Sequence, residues 1–122
     1  MNLAVIQQPA NNIQTGINIG LNLRAIIADH SNGAMSYREY QILEFIVSEY
    51  LAQRQMVMEQ GMSLNHLGSR YTLHKAIKKL ISDGFVAIDK SQDSRLRPLV
   101  PTKQALALFD SISDCICTLV NN

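Results

Sequence analysis

Between Arg70 and Asp83 the apolar residues Leu73, Ala76, Ile77, Leu80 and Ile81 recur at spacings of three and four. That period places them on one stripe of a helix. Ser69 stands where a hydroxyl caps the first turn, and Gly84 where a left-handed residue ends the last one, which predicts a helix over 70–83. Its opposite face carries Tyr71, Lys75, Lys78 and Ser82, with His74 and Lys79 on the margins. Upstream, Ser36-Tyr37-Arg38-Glu39 has the form of a capping box at the head of a central helix over 36–54. Tyr40, Leu43, Val47, Tyr50 and Leu51 form its stripe, with Ile42 and Phe45 on the other side. A short amphipathic segment over 56–65, interrupted by Gly61, precedes the 70–83 helix. Thr102 is placed to cap a last helix over 102–120, with Ala105, Leu108, Ile112, Cys115, Ile116 and Leu119 on its apolar stripe.

The N-terminal third is less direct. "INIGLNL" alternates like a strand, but the longer window from 11 to 30 suits a helix. Wound at about 100° per residue, Ile13, Ile17, Ile19, Leu21, Leu23, Ile26 and Ile27 fill a wide arc opposite Asn18, Asn22 and Asp29. We read a helix over 11–30 whose arc is wide enough to meet a second subunit. Gly16 and Gly20 lie in the arc one turn apart, either for close backbone approach or as tolerated glycines. Residues 1–10, which contain Gln7-Gln8-Pro9, read as an arm.

Composition fits one globular domain: 122 residues, 47% hydrophobic and 17% charged. No apolar run approaches the roughly 20 residues of a membrane span, and the N-terminus lacks the basic start and apolar core of a signal peptide. A cytoplasmic protein is expected. The formal charge of +1 hides an asymmetry: Arg70 to Lys103 holds eight basic and three acidic residues, a net +5, leaving −4 for the rest. Such a partition suggests a polyanion-facing module, or a solvated face that happens to be basic.

Candidate chemistry narrows this further. His30, His66 and His74 lack metal-ligand spacing, and Cys115-x-Cys117 has no nearby histidine, so no metal or cofactor is expected. On a helix those two cysteines point to nearly opposite faces; Cys115 joins the apolar stripe, and Cys117 faces away, where a redox thiol is one reading. There is no nucleophile elbow, phosphate-cradling glycine loop or zincin motif, so an enzyme is not expected.

The stretch 85–101 supplies the missing part. Phe85–Ile88 and Leu99-Val100 are short apolar runs flanking a polar segment with Lys90, Asp93, Arg95 and Arg97. Helix, turn, helix and a two-stranded hairpin with a charged tip is the order of a winged helix. A helix fits the major groove of B-form DNA, and a hairpin beside it can bring an arginine to the minor groove. On that reading Lys78, Lys79, Lys90 and Arg97 contact phosphate, while Arg70, Tyr71, Thr72, His74, Lys75 and Arg95 read bases or grooves. Tyr71 can also pack against the wing, and His74 at the helix edge. Asp93 suits a support for Arg95 or Arg97, because a bare carboxylate repels phosphate.

From Leu67 to Ala105, "LGSRYTLHKAIKKLISDGFVAIDKSQDSRLRPLVPTKQA" resembles the winged helix-turn-helix of the MarR family of bacterial transcription regulators. The matching residues are Ser69 and Thr72-Leu73, Leu80, Gly84-Phe85-Val86, Asp93-x-Arg95 and Thr102. "PTKQA" departs from the commoner Leu-Thr-x-x-Gly pattern, and this wing is slightly shorter than the family's common one. The resemblance implies a mainly α fold with a small β-hairpin wing, and a homodimer built from the N- and C-terminal helices. It further implies binding to a roughly palindromic duplex, with Arg95 as wing arginine and Asp93 as its support, and we expect a transcriptional repressor. For the dimer seam we expect Ile13, Gly16, Ile17, Gly20, Leu108, Ile112 and Ile116. Many members answer to small-molecule effectors, but nothing here matches a ligand site and no effector is assigned. Two alternatives keep the winged helix: a plasmid or phage replication or partition protein, and a protein-interaction module that binds no DNA.

Overall fold

The computed structural model describes the backbone of residues 3–91 and 94–121, and side chains from residue 11 onward except Ser94. The fold is α+β, mainly helical with a small antiparallel sheet. It divides into two units: Met1–Gly33 with Leu108–Asn122, and Ala34–Ala107.

In the Ala34–Ala107 unit, α2 (Tyr37–Leu51) begins at the expected capping box: Ser36 Oγ accepts from the Glu39 N–H at 3.1 Å, and the Ser36 N–H donates to Glu39 Oε1 at 2.8 Å. The helix ends at Leu51, short of the 36–54 expectation, and Gln53 takes a left-handed φ of 59° in the turn that follows. Ile42, Leu43, Ile46 and Val47 are buried, whereas Tyr50 and Leu51 are exposed. The 56–65 segment is not one helix. Met56–Val57 is a strand, β1; Met58–Gly61 is a single helical turn, α3; and Asn65–Leu67 is a 3₁₀ turn. A two-residue strand is too short to show alternation, and its pairing partner lies far along the chain.

Next, α4 (Arg70–Ser82) follows the predicted boundaries, with Ser69 Oγ accepting from the Thr72 N–H at 3.2 Å. Its C-terminus closes on Gly84 at φ 86°, with the Phe85 N–H donating to Leu80 O and the Gly84 N–H to Ile81 O. This is the paired-bond stop in which glycine avoids the cost of a left-handed side chain. Strands β2 (Val86–Ile88) and β3 (Pro98–Pro101) form the expected hairpin, but β3 also pairs with β1, so the sheet has three strands in the order β1-β3-β2. Phe85, Ile42, Leu43, Ile46, Leu73, Ile77, Leu80 and Val86 are essentially inaccessible, and they hold α2, α4 and the sheet together. Gly61 is part of this packing: a Cβ there would lie 2.6 Å from Ile77 Cδ1, so α3 sits against α4 at glycine distance. Thr102 Oγ1 donates to Gly84 O at 2.6 Å and accepts from the Ala105 N–H at 3.3 Å, tying the head of α5 (Lys103–Asn121) to the tail of α4.

The other unit holds α1 (Leu3–Ser31) and α5 from Leu108 onward. The helix expected over 11–30 thus starts at Leu3, and residues 3–10 of the stretch read as an arm are helical. Pro9 suggested a break, yet a proline within a helix removes one backbone bond and need not end it. His30 Nε2 lies 3.2 Å from Ser111 Oγ, linking the two helices. No helix among the described residues is long and apolar enough to cross a membrane.

Candidate nucleic-acid interface

The burial pattern of α4 fixes which of its side chains face outward. Leu73, Ala76, Ile77 and Leu80 enter the core, so Arg70, Tyr71, Lys75 and Lys78 stand on the exposed side and His74 at its margin. Tyr71 is 73% exposed, and Lys75 Nζ sits 5.7 Å from the centre of its ring. At that distance the ammonium is attracted to the ring face, which orders two long side chains on one surface. Thr72 Oγ1 accepts from Ser69 Oγ at 3.0 Å within the capping turn.

Arg70 and Lys79, both expected contacts, pair with carboxylates of the chain. Arg70 makes a two-pronged bond to Glu59 of α3, Nη1 to Oε1 at 2.7 Å and Nη2 to Oε2 at 3.0 Å. The Arg70 hydrogen bond holds the Glu59 carboxyl below its ordinary range, and Glu59 in turn holds the guanidinium above its own. Lys79 Nζ donates to Ala34 O at 2.6 Å, Asp83 Oδ2 at 2.9 Å and Glu39 Oε1 at 3.2 Å. An ammonium has three donors, and all three are used. The bond to Asp83, with a smaller share from Glu39, raises the Lys79 pKa. Lys79 therefore ties α4 to the start of α2 and does not present a phosphate contact.

The connection between β2 and β3 carries the second cationic group. Asp89 Oδ1 accepts from the Ser91 N–H at 3.0 Å and from Ser91 Oγ at 2.6 Å, a local turn that leaves Lys90 exposed. These bonds hold the Asp89 carboxyl below its usual value. Arg95 lies in a 3₁₀ turn, Ser94–Leu96, and its side chain is exposed. Arg97 takes a left-handed φ of 49°, and its carbonyl accepts from the Met58 N–H at 3.0 Å, so the segment's return to the sheet is pinned by backbone. Asp93, the expected wing support, lies outside the described residues.

One residue that the charge reading passed over belongs beside this surface. Arg38, in the first turn of α2, donates from Nε to Leu67 O at 2.7 Å. It lines a groove of about 280 Å³ with Ser36, Glu39, Tyr71, Thr72, Lys75, Ala76 and Lys79. The partition of charge at Arg70 excluded Arg38; its place in the first turn after a capping box was the available signal.

The expected dimer residues fall into two groups. Ile13 and Ile17 on α1 and Ile116 on α5 are exposed, at 62%, 50% and 36%. Leu108 and Ile112 are buried within the single chain, at 0% and 7%, and so are core positions, not seam positions. The family resemblance implies a seam along α5, but the first part of its apolar stripe faces inward. A Cβ at Gly16 or Gly20 would meet nothing within 4 Å, so no packing among the described residues accounts for them. Cys115 is half-buried and Cys117 exposed.

No protein family, curated protein or solved structure matches the chain.

Proposed function

We propose that the protein is a winged-helix regulator of MarR-like type that binds double-stranded DNA, acts as a homodimer and represses transcription. One observation carries the reading: α4 buries one face in the core of the Ala34–Ala107 unit while Tyr71, Lys75 and Lys78 stand outward, and the same unit holds Lys90, Arg95 and Arg97 on the β2–β3 connection. The order α2, β1, α3, α4, β2, β3 and the sheet order β1-β3-β2 agree with a winged helix. A helix about 10–12 Å across matches a major groove about 12 Å wide. Exposed lysines supply affinity through counterion release, and the β2–β3 connection supplies an arginine for the flanking groove.

Fluorescence-anisotropy titration with random-sequence duplex at several salt concentrations tests it. Affinity should fall steeply with salt, in proportion to the phosphates neutralised. Arg95→Ala should weaken binding on the order of tenfold without altering the melting temperature. Absence of binding at low salt would remove the reading and favour a protein partner; a wild-type affinity in Arg95→Ala would remove the wing from the mechanism.

A further inference from the structure

The groove between the first turn of α2 and the outer face of α4 has a charge arrangement that invites an anion. Three cations line it, Arg38, Lys75 and Lys79, against one carboxylate, Glu39. That carboxylate is already engaged, accepting the Ser36 N–H at 2.8 Å and the Lys79 ammonium at 3.2 Å. Lys79 is shared between Glu39 and, just outside the groove lining, Asp83 at 2.9 Å, so its charge is fully compensated. Arg38 and Lys75 then leave the groove with a positive surplus.

Arg38 is held for this role by backbone. Its Nε bond to Leu67 O uses one of five donors, and the geometry fixes the plane of the guanidinium while the terminal nitrogens remain for a ligand. Gly68 lies beside it: an ideal Cβ there would stand at ordinary contact distance, 3.5 Å from Arg38 Nε and 3.4 Å from Thr72 Cγ2, so the guanidinium packs next to this backbone and beside Thr72. Thr72 Oγ1 accepts from Ser69 Oγ at 3.0 Å, which frees its own proton for donation. A planar fork, an ammonium and a hydroxyl facing one groove suit a tetrahedral oxyanion with several acceptor oxygens.

We infer that this groove is a seat for one phosphodiester of the DNA backbone, with Arg38 as its principal ligand and Lys75 and Thr72 as its flank. The inference rests on the DNA-binding reading and adds to it a contact from α2, outside α4 and the wing. Arg38 would clamp the strand beside the groove that α4 enters and set how deeply that helix sits.

The test is the salt dependence of random-duplex binding for wild type, Arg38→Gln and Arg38→Lys, with melting temperatures measured alongside. Arg38→Gln should lose affinity on the order of tenfold, equally on every duplex, and its log–log salt slope should shallow by about 0.9, the value of one phosphate. Arg38→Lys should keep the slope, because the charge remains, while losing part of the affinity with the Leu67 bond. A purely structural role would lower the melting temperature or the affinity of both variants and leave the slope of each at the wild-type value, and that result would overturn the seat. Wild-type slope and affinity in Arg38→Gln would overturn it too, with DNA binding left standing. A wild-type protein that binds no duplex would remove seat and function together.

Discussion

Arg70 is the residue where the free protein and a DNA-reading role conflict. Bidentate recognition of guanine uses the same pair of terminal nitrogens that Glu59 occupies. Both side chains are largely exposed, so water screens the pair and a phosphate or base edge can displace the carboxylate. Glu59→Gln should therefore raise duplex affinity severalfold and steepen the salt dependence, as measured by anisotropy, because an anionic competitor is removed. Unchanged affinity would mean that Arg70 keeps Glu59 in the complex and serves to brace α3 against α4. The pH dependence has a definite sign. Arg70 holds the folded-state pKa of Glu59 below its unfolded value, so the pair's stabilisation is present above the unfolded value and is lost as pH falls through the folded one. Part of the acid limb of a melting-temperature profile should disappear in Glu59→Gln.

At the scale of elements, the connection into α4 decides where the outward face points. Gly68 has φ 154° and ψ −179°, a conformation open essentially to glycine alone. A Cβ there meets only ordinary van der Waals neighbours, so the cost of substitution is conformational. Gly68→Ala should destabilise the fold by about 1–3 kcal/mol and weaken DNA binding with it; an unchanged thermal melt would mean that the turn relaxes freely. What was legible in the sequence follows from the same physics. The caps at Ser36, Ser69 and Thr102 and the stop at Gly84 act within a few residues, and each has its bond in the structure. The stripe of α4 spans enough turns to show its period. By contrast, β1 has two residues and exists through pairing of Met56 with Leu99 and Val57 with Pro98, which no local pattern encodes. Gly61 read as a weakness in a helix because its reason, the nearness of Ile77, is tertiary. The outward positions of Tyr71, Lys75 and Lys78 followed from the period, and the Lys79–Asp83 pair has the local i, i+4 spacing of a helix; the engagement of Arg70 by Glu59 and of Lys79 by Glu39 did not follow, since those acids lie outside the helix.

For the whole molecule, charge separates between the two units. The Ala34–Ala107 unit carries ten basic and seven acidic residues, a net +3, and the remainder one basic and three acidic, a net −2. An acidic unit gains nothing from a polyanion. It does carry exposed apolar residues in series: Ile13, Ile17 and Leu21 on α1, at 62%, 50% and 57%, and Ile116 and Val120 on α5, at 36% and 62%. In the proposed homodimer, large aliphatic side chains at a four-residue spacing on an exposed helix face would be the surface that a second copy meets with the same surface in return. A winged helix that reads a two-fold site needs such a pairing, since two recognition helices must reach successive turns of one duplex. The double variant Ile17→Asp, Leu21→Asp should then sediment as a monomer, keep its thermal melt apart from the concentration dependence that dimerisation adds, and retain weak, salt-sensitive binding to duplex. Ile112→Asp makes the contrast. Ile112 is buried within the chain, so a charge there should cost several kcal/mol and lower the melting temperature of the folded chain. Equilibrium sedimentation over a range of concentrations separates the two outcomes. A wild-type monomer at every concentration, or a double variant that stays dimeric, would move the subunit contact off α1 and leave its exposed isoleucines without a partner.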